Sequence, residues 1–317
     1  MSALLNAAQT QWDSFPMWAK TAAIGCGVII SGAIMKRLFL GSKARETPVK
    51  KDFKKGVVYL FQWLRPKDLP SFSPYCLKLE TWLRISGVEY ENVLNYSLRS
   101  REGMLPFVEL NGVEYPDSGF AIRDLTRELK VATDNHLTEE QRAVARSFET
   151  MLEMSTFNSY AYARYVEKAA ELIHLFKDTV AGVVPPLMLF AMLALARWTM
   201  PRTFMDNLRK TGIGRHERHE IIGIGKADLK ALSLYLGDKR FFMGDEPTRV
   251  DCAAFGVLGQ LLYCPIDTPH LEYMKSDCKN LVDFCARVKE RVFPDWDTLV
   301  EQNDTLLWER PPKKKKQ

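Results

Sequence analysis

The spacing of hydrophobic and polar positions predicts alternating strands and helices over residues 56–130. Residues 56–63 form a short β-branched and aromatic run, which is typical of a buried strand. Apolar residues then recur at helical spacing over residues 75–87, and residues 88–96 again have strand character. Residues 105–116 contain an Asn-Gly dipeptide, a strong hairpin signal, so we expect two short strands there and a helix directly after them.

This order of elements is that of a thioredoxin-like domain. The strand–helix–strand segment implies a parallel pair, and the hairpin adds antiparallel strands to the same sheet. Residues 136–300 have helical patterns instead, and Thr138 starts a capping box. Thr248 and Asp251 have the same spacing before a nearly apolar helix, so we interpret them as structural capping residues. The predicted fold is an α/β thioredoxin-like domain over residues 56–130 followed by an all-α domain.

The N-terminus carries a candidate membrane anchor. Residues 21–35 are uncharged and are bounded by basic residues, while residues 1–19 contain no lysine or arginine. The absence of a basic start argues against a cleaved signal peptide, and the downstream charge favours a signal-anchor helix over about residues 21–40 rather than a soluble amphipathic helix. The positive-inside rule then predicts a cytosolic body on a mitochondrial outer membrane or an ER-derived membrane. We assign residues 1–55 to this anchor and a basic linker, and residues 301–317 to a basic tail.

A second apolar run, residues 181–196, has a different interpretation. A helix that starts at its Pro-Pro pair has about ten residues before Arg197, which is too short to cross a bilayer. We therefore expect a buried helix or helical hairpin of the all-α domain, with contact at a membrane surface as the alternative.

Composition and charge exclude several classes of protein. The chain has 317 residues and a net charge of +5, and much of the positive charge lies in residues 36–55 and in the lysine run near the C-terminus. No zinc-finger, RNP-type or helix-turn-helix signature accompanies these runs, so nucleic-acid binding is not expected. The six cysteines form no C-x-x-C pair, which indicates reduced thiols. The lone pair His216 and His219 would share one helix face, but without further ligands it predicts no metal site.

Three positions fall where a thioredoxin-like domain carries its chemistry. Ser73 lies in the turn after the first strand. Leu105 and Pro106 start the third strand, where this fold has a cis-proline whose neighbouring backbone pairs with an extended peptide such as glutathione. Asp117 and Ser118 begin a helix, whose N–H groups and dipole suit a carboxylate such as that of the γ-glutamyl end. Each position alone has an ordinary structural explanation, but together and in this order they predict a glutathione site.

Several segments resemble the failed axon connections (Fax) family of the glutathione-transferase superfamily, in a branch related to metaxins. The segments are SPYCLKLETWLR, GMLPFVELNG, DSGFAI, GIGRH, LGDKRFFMGDEPTRVD and FPDW, and the resemblance covers roughly residues 56–297. It implies a transferase-like fold, a glutathione ligand, membrane association and a role in axon development or stress response. Proteins with this fold often form homodimers, so a homodimer is an expectation, although the sequence identifies neither the dimer face nor a protein partner.

Ser73 is the candidate catalytic residue that this resemblance supplies. A serine at this position in the superfamily donates a hydrogen bond to the sulfur of glutathione, and the start of the helix further lowers the thiol pKa. Dithiol exchange would need a second cysteine at position 73, where this chain has a serine, so that reaction is not available. The remaining thiol of this turn, Cys76, is interpreted as a small buried hydrophobe. Two hypotheses remain: a glutathione-binding protein with weak transferase or peroxidase activity, or a non-enzymatic, metaxin-like adaptor.

Overall fold

The computed structural model describes residues 47–95, 98–181, 184 and 186–301 of this chain. The predicted anchor helix over about residues 21–40 lies outside the described residues, as does nearly all of the predicted basic tail. Among the helices within the described ranges, none combines the length and the apolar character that crossing a bilayer demands.

A four-stranded sheet forms the first part of the described chain. Its strands are β1 (Val58–Gln62), β2 (Tyr90–Leu94), β3 (Phe107–Leu110) and β4 (Val113–Pro116), in the spatial order β2-β1-β3-β4. Strand β2 is parallel to β1, whereas β3 pairs antiparallel with both β1 and β4. The predicted thioredoxin-like order of strands is confirmed.

Two helices, α1 (Pro74–Ile85) and α2 (Ser118–Glu128), pack on one face of the sheet. Alternate residues of β1 and β3 point to this face, because successive side chains leave a strand on opposite sides. They join apolar residues of both helices in one buried cluster, whose members are Val58, Leu60, Leu79, Trp82, Leu83, Val108, Leu110, Ala121, Ile122, Leu125 and Cys252.

The opposite face of the sheet is covered by the chain that precedes β1. Residues 95–106 connect β2 to β3, and their described part contains no helix. Val49 and Lys50 donate their backbone N–H groups to the carboxylate of Glu109 at 2.8 and 3.0 Å, and Phe53 packs against the apolar residues of this face. The segment before β1 is thereby held across the sheet.

The remaining described chain is helical, as predicted. Its α-helices are α3 (Glu139–Met151), α4 (Phe157–Ala161), α5 (Ala169–Val180), α6 (Pro186–Thr211), α7 (Arg218–Leu236), α8 (Arg249–Tyr263), α9 (Pro269–Asp277), α10 (Lys279–Val292) and α11 (Trp296–Glu301). Wider π-helical turns at Leu152–Thr156 and Tyr162–Glu167 flank α4, so α3 and α4 form one long, irregular helical rod.

Helix α8 joins the sheet to the helical part. All of its residues from Val250 to Leu261 are buried, and it packs closely against α1. Thr248 caps its N-terminus, and Asp251 accepts hydrogen bonds from the N–H groups of Thr248 and Phe242 at 2.7 and 2.8 Å. Thr248 and Asp251 thus form the capping box that their spacing predicts.

Helix α6 differs from the sequence prediction. The apolar run was expected to be a short buried helix, but α6 has 26 residues, continues through Arg197 and Pro201, and buries only Leu189 and Leu208 among its side chains. The prediction was wrong because an uncharged run does not by itself show what the helix packs against. Burial of such a helix requires apolar neighbours on every side. Here the helix lies at the surface, and Leu187, Phe190 and Trp198 face outward.

A buried histidine lies between three of the helices. His270 has no exposed surface, and its Nε2 atom is 2.8 Å from the hydroxyl oxygen of Ser159. That hydroxyl donates its own hydrogen to the carbonyl of Ile221 at 2.5 Å, so it accepts from His270, whose Nε2 therefore carries the hydrogen. Burial, and after it the ammonium group of Lys226, lowers the pKa of His270 to about 4.

We expect His270 to make the protein sensitive to mild acid. Its pKa is near 6.5 when unfolded and about 4 when folded, so the unfolded state binds more protons between these values and stability falls as the pH falls from 6.5. The loss reaches about 2 kcal/mol at pH 5. Urea unfolding at several pH values measures it, and His270→Gln, which keeps an N–H donor for Ser159, should flatten this part of the profile. An unchanged profile in that variant would contradict the assignment.

Candidate functional site

The N-terminus of α1 presents the first predicted residue. Ser73 is half-buried and caps the helix, since its hydroxyl oxygen accepts from the backbone N–H of Cys76 at 3.3 Å, and Pro74 follows at the first helical position. A serine hydroxyl that accepts this bond still carries an O–H donor, which can be directed to the neighbouring Cys76 sulfur or to a ligand. The donor and the positive end of the helix dipole are therefore at the same point.

Cys76 lies one turn into α1 and has no exposed surface. Burial raises the pKa of its thiol to about 11, although hydrogen bonds with Ser73 and Ser71 oppose that rise. The interpretation of Cys76 as a buried small hydrophobe is confirmed, because a thiol that stays protonated and inaccessible is a poor nucleophile.

The second predicted segment precedes β3. The bond between Leu105 and Pro106 is cis, Leu105 is half-buried and Pro106 is buried. The pairing of β3 with its neighbours begins at Phe107, so the peptide groups of Leu105 and Pro106 lie just beyond the paired part of the strand.

The third predicted segment starts α2. Asp117 has a positive φ of 65°, and its Oδ1 atom accepts from the N–H groups of Gly119 and Phe120 at 2.7 and 3.1 Å. Ser118 is the first helical residue and is almost completely buried. The Asp117 carboxylate already accepts two N–H groups at the start of the helix. A ligand carboxylate at this point would therefore have to bind Ser118 instead.

The sheet topology brings these three segments to one edge. Strand β1 ends on the side that leads to α1, and β3 begins there, because Phe107 pairs with Phe61. Strand β4 ends there as well, since Pro116 pairs with Phe107. Ser73, the Leu105–Pro106 bond and the start of α2 therefore lie along the same edge of the sheet.

A buried ion pair supports the loop that leads to Ser73. Arg65 and Glu80 have no exposed side-chain surface, and their closest charged atoms are 2.7 Å apart. Arg65 also donates to the carbonyl of Pro70 at 2.9 Å, which ties the loop to α1. Burial alone would raise the pKa of Glu80, but the charge and hydrogen bonds of Arg65 outweigh it and lower that pKa to about 2.

One ion pair between α1 and the helical part was missed by the sequence analysis. Lys78 in α1 is almost fully buried, and its ammonium lies 2.5 Å from the carboxylate of Glu153 in the π-helical turn after α3. Tyr75 lies close to this pair, and burial, followed by the negative charge of Glu153, raises the pKa of its phenol. The sequence carried no signal for the pair, because its partners are 75 residues apart.

Aromatic side chains of α5 and α6 make contacts near the candidate site. The ring of Phe176 in α5 lies 5.0 Å from that of Phe72 and 6.1 Å from that of Trp63, both in the loop before α1. Phe204 of α6 stacks on Tyr165 at 4.0 Å. The contacts of Phe176 bring aromatic surface of the helical part close to the loop that leads to Ser73.

The histidine pair at residues 216 and 219 does not have the arrangement that its spacing suggested. Helix α7 begins at Arg218, so His216 precedes the helix and the two imidazoles do not share one helix face, although the cluster does flank the start of a helix, as expected for a structural role. The reason is local, because Glu217 and Glu220 form a capping box that starts the helix at Arg218. Within the described ranges, no three His, Cys, Asp or Glu side chains are grouped so that they could hold a metal ion.

Comparisons with known proteins agree with the order of elements. Residues 74–170 match the family model of the glutathione S-transferase N-terminal domain, and residues 225–288 match that of the glutathione S-transferase C-terminal domain. Together these matches include parts of both the sheet and the helical part.

Three curated relatives are similar over most of this chain. Failed axon connections of Drosophila melanogaster is 40% identical over 80% of this chain and 62% of that protein. Isoprene-epoxide–glutathione S-transferase of Rhodococcus is 26% identical over 74% of this chain and 99% of that protein. Metaxin-1 of Homo sapiens is 25% identical over 75% of this chain and 51% of that protein. This chain thus covers less than two thirds of the length of the Drosophila and human relatives.

Proposed function

This chain belongs to the failed axon connections family, a metaxin-related branch of the glutathione-transferase superfamily, and on that premise we propose that it binds glutathione beside Ser73. The observation that carries the proposal is the meeting of Ser73, the Leu105–Pro106 segment and the start of α2 at one edge of the sheet. Glutathione is an extended tripeptide with a central thiol, and this edge offers groups that fit each of its parts.

The thiol of glutathione is stabilised as a thiolate at the N-terminus of α1. The O–H group of Ser73 donates to the sulfur, and the dipole of the 12-residue helix favours negative charge at the same point. A lower thiol pKa raises the fraction of thiolate, which is the form that attacks an electrophile. Ser73 is therefore the proposed catalytic residue.

The backbone and the γ-glutamyl end of glutathione are held by the other two segments. The peptide groups at Leu105 and Pro106 lie beyond the strand pairs of β3 and pair with the cysteinyl residue of glutathione. The γ-glutamyl carboxylate binds Ser118 at the start of α2, and its ammonium group faces the exposed carboxylate of Asp117. The ammonium group of Lys78, which pairs with Glu153, lies close to Gly119 in the first turn of α2.

Transfer to an electrophile is proposed to be slow. Phe176 packs on the loop before α1 and Phe204 stacks on Tyr165, so aromatic side chains of this chain occupy surface next to the site. The Rhodococcus relative is named for an epoxide and glutathione, and we extend only the glutathione part of that activity to this chain.

The same proposal includes a location. A membrane-anchored protein with a cytosolic body agrees with the uncharged residues 21–35 and their basic downstream flank, with the mitochondrial outer membrane or an ER-derived membrane as the site. The name of the Drosophila relative supports a role in axon connections. Fractionation of cells that express the chain with and without residues 1–46, with alkaline extraction to release peripherally bound protein, tests the location. An extraction-resistant fraction that is unchanged after the deletion would refute the anchor.

Glutathione binding is tested by calorimetric titration of the full chain. We expect Ser73→Ala to lower the rate of conjugation with a generic electrophile by roughly tenfold to a hundredfold, because it removes one hydrogen bond from the sulfur. It should also reduce the thiolate absorbance of bound glutathione. Ser73→Thr keeps a hydroxyl and a helix cap and should restore much of both signals.

The matched control is Ser147→Ala, which removes an exposed hydroxyl on α3 and should change neither signal. Binding without any effect of Ser73→Ala would remove Ser73 from the mechanism. A complete lack of glutathione binding by the folded full chain would reject the proposed ligand and favour the non-enzymatic adaptor.

A further inference from the structure

Helix α6 exposes an apolar strip on the surface of the protein. Leu187 is 82% exposed, Phe190 72% and Trp198 60%, and the small residue Ala194 lies exposed between them. These positions are three or four residues apart, so they lie on one side of the helix. We call Leu187, Phe190, Ala194 and Trp198 the apolar strip.

The side of α6 that carries the apolar strip continues into a basic surface. Arg202, one turn after Trp198, places its guanidinium 4.4 Å from the centre of the indole ring and donates to the Trp198 carbonyl at 2.6 Å. Arg209 follows at helical spacing, and Arg209, Lys210 and Arg215 line a shallow cleft at the end of the helix. We call Arg202, Arg209, Lys210 and Arg215 the basic end.

Few acidic groups oppose the basic end. Asp206 is the only acidic residue within α6, and its carboxylate is 3.5 Å from Arg209. Glu220 approaches the same region, at 3.5 Å from the imidazole of His216, which also lines the cleft. The basic residues therefore outnumber the acidic ones on this surface, and its partner must be both apolar and negatively charged.

The opposite side of α6 fixes the helix to the body. Leu189 joins a buried cluster with Leu64, Leu94, Val180 and Val184, and Phe204 stacks on Tyr165 near the other end. The apolar strip is therefore presented by a helix that is attached at both ends, so no unfolding is needed to expose it.

We propose that the apolar strip and the basic end dock on the surface of an anionic phospholipid bilayer. Helices with an apolar face and arginine or lysine residues lie at the boundary between headgroups and acyl chains, where tryptophan is also enriched. Leu187 and Phe190 enter the acyl region, Trp198 lies at the headgroup level, and the basic end binds lipid phosphates. Each basic residue near such a surface strengthens binding by about fivefold.

A bilayer fits these observations better than a protein partner. The apolar side chains protrude singly from a convex helix, and a fluid lipid surface accommodates them without a matching cavity. A second copy of this chain would have to bring two positively charged surfaces together, which repel each other. The proposal requires no helix that spans the membrane, and it does not depend on glutathione binding.

The test uses the full chain with vesicles of phosphatidylcholine, with and without phosphatidylserine, whose acyl chains are brominated to quench tryptophan. The difference in quenching between the natural protein and Trp198→Phe reports on Trp198 alone. We expect Trp198 to be quenched on vesicles that contain phosphatidylserine, and Leu187→Asp to reduce this quenching by about tenfold, because a charge resists entry into the acyl region. The double variant Arg209→Gln with Lys210→Gln should make the quenching of Trp198 less dependent on phosphatidylserine.

Matched controls lie on α7. Leu234 is 69% exposed, so Leu234→Asp makes the same change at an exposed leucine outside the apolar strip and should leave the quenching of Trp198 intact. Lys230→Gln removes an exposed positive charge outside the basic end and should also leave this quenching intact. Vesicle binding without quenching of Trp198 would mean attachment through another segment and would overturn the proposal. Shielding of Trp198 that rises with protein concentration without vesicles would indicate a second copy and would overturn it as well.

Discussion

Replacing Glu80 by glutamine is expected to lower the free energy of unfolding by about 3–5 kcal/mol. Arg65 and Glu80 are both fully buried, with charged atoms 2.7 Å apart. Glutamine keeps the size of the side chain but removes the carboxylate that neutralises the buried charge of Arg65. That charge was taken out of water on folding, so its desolvation is no longer offset by an adjacent negative group.

The Glu80 carboxylate also has other partners in the same region. It accepts from the side chains of Gln62 and Tyr90 at 2.9 and 3.1 Å, which link β1 and β2 to α1. Since the folded-state pKa of Glu80 is lowered to about 2, its contribution is complete above the unfolded value of 4.5 and is lost as the pH falls toward 2. In the Glu80→Gln variant, this acid-dependent part of the free energy of unfolding should be absent.

Urea unfolding of both proteins at neutral pH measures the effect. Glu91→Gln is the matched control, because the Lys54–Glu91 pair is exposed and such pairs contribute about 0–1 kcal/mol. Adding Arg65→Met to Glu80→Gln should recover part of the lost stability, since both charges are then gone. A loss below about 1 kcal/mol in the single variant would contradict the burial of this pair.

Replacing Gly256 by alanine is expected to destabilise the protein by about 3 kcal/mol, at the upper end of the range for overpacking. A Cβ at this position would lie 2.6 Å from the carbonyl oxygen of Pro74 and 3.1 Å from the Cβ of Lys78. Neither neighbour is the flexible end of a side chain, so α1 and α8 have to move apart. Because Pro74 follows Ser73, this movement also displaces the proposed thiol site.

Gly223→Ala is the matched control for this prediction. A Cβ on Gly223 of α7 would meet no atom within 4 Å, so alanine there should stabilise the helix by about 0.5–1 kcal/mol. Thermal unfolding compares both variants, and glutathione titration tests the displacement of Ser73. If Gly256→Ala were as stable as the natural protein, the close approach of α1 and α8 would be refuted.

Much of the fold was predictable because its signals are local. The change from strand to helical spacing identified β1 and α1, and the Asn-Gly pair indicated the turn between β3 and β4. The spacing of Thr248 and Asp251 indicated the start of α8, since a capping box involves residues only three positions apart. The predicted glutathione residues came from this order of elements together with the family resemblance.

The surface position of α6 was not predictable in the same way. A long apolar run can have the same composition in a core as on an exposed helix. Which side of α6 faces outward depends on the residues that pack against its other side, such as Tyr165 and Leu64, which are far from it in sequence. The Lys78–Glu153 pair had the same problem, because sequence spacing says nothing about contacts over 75 residues.

Local sequence was enough to predict the order of strands and helices, the helix caps and the serine in place of a nucleophilic cysteine at position 73. These features depend on backbone preferences and on neighbours within a few residues. The packed fold was needed to see that Cys76 is buried, that Asp117 binds the N–H groups of its own helix, and that the apolar strip of α6 faces outward. Those outcomes depend on which distant surfaces meet, and burial and electrostatics are properties of that packing rather than of local sequence.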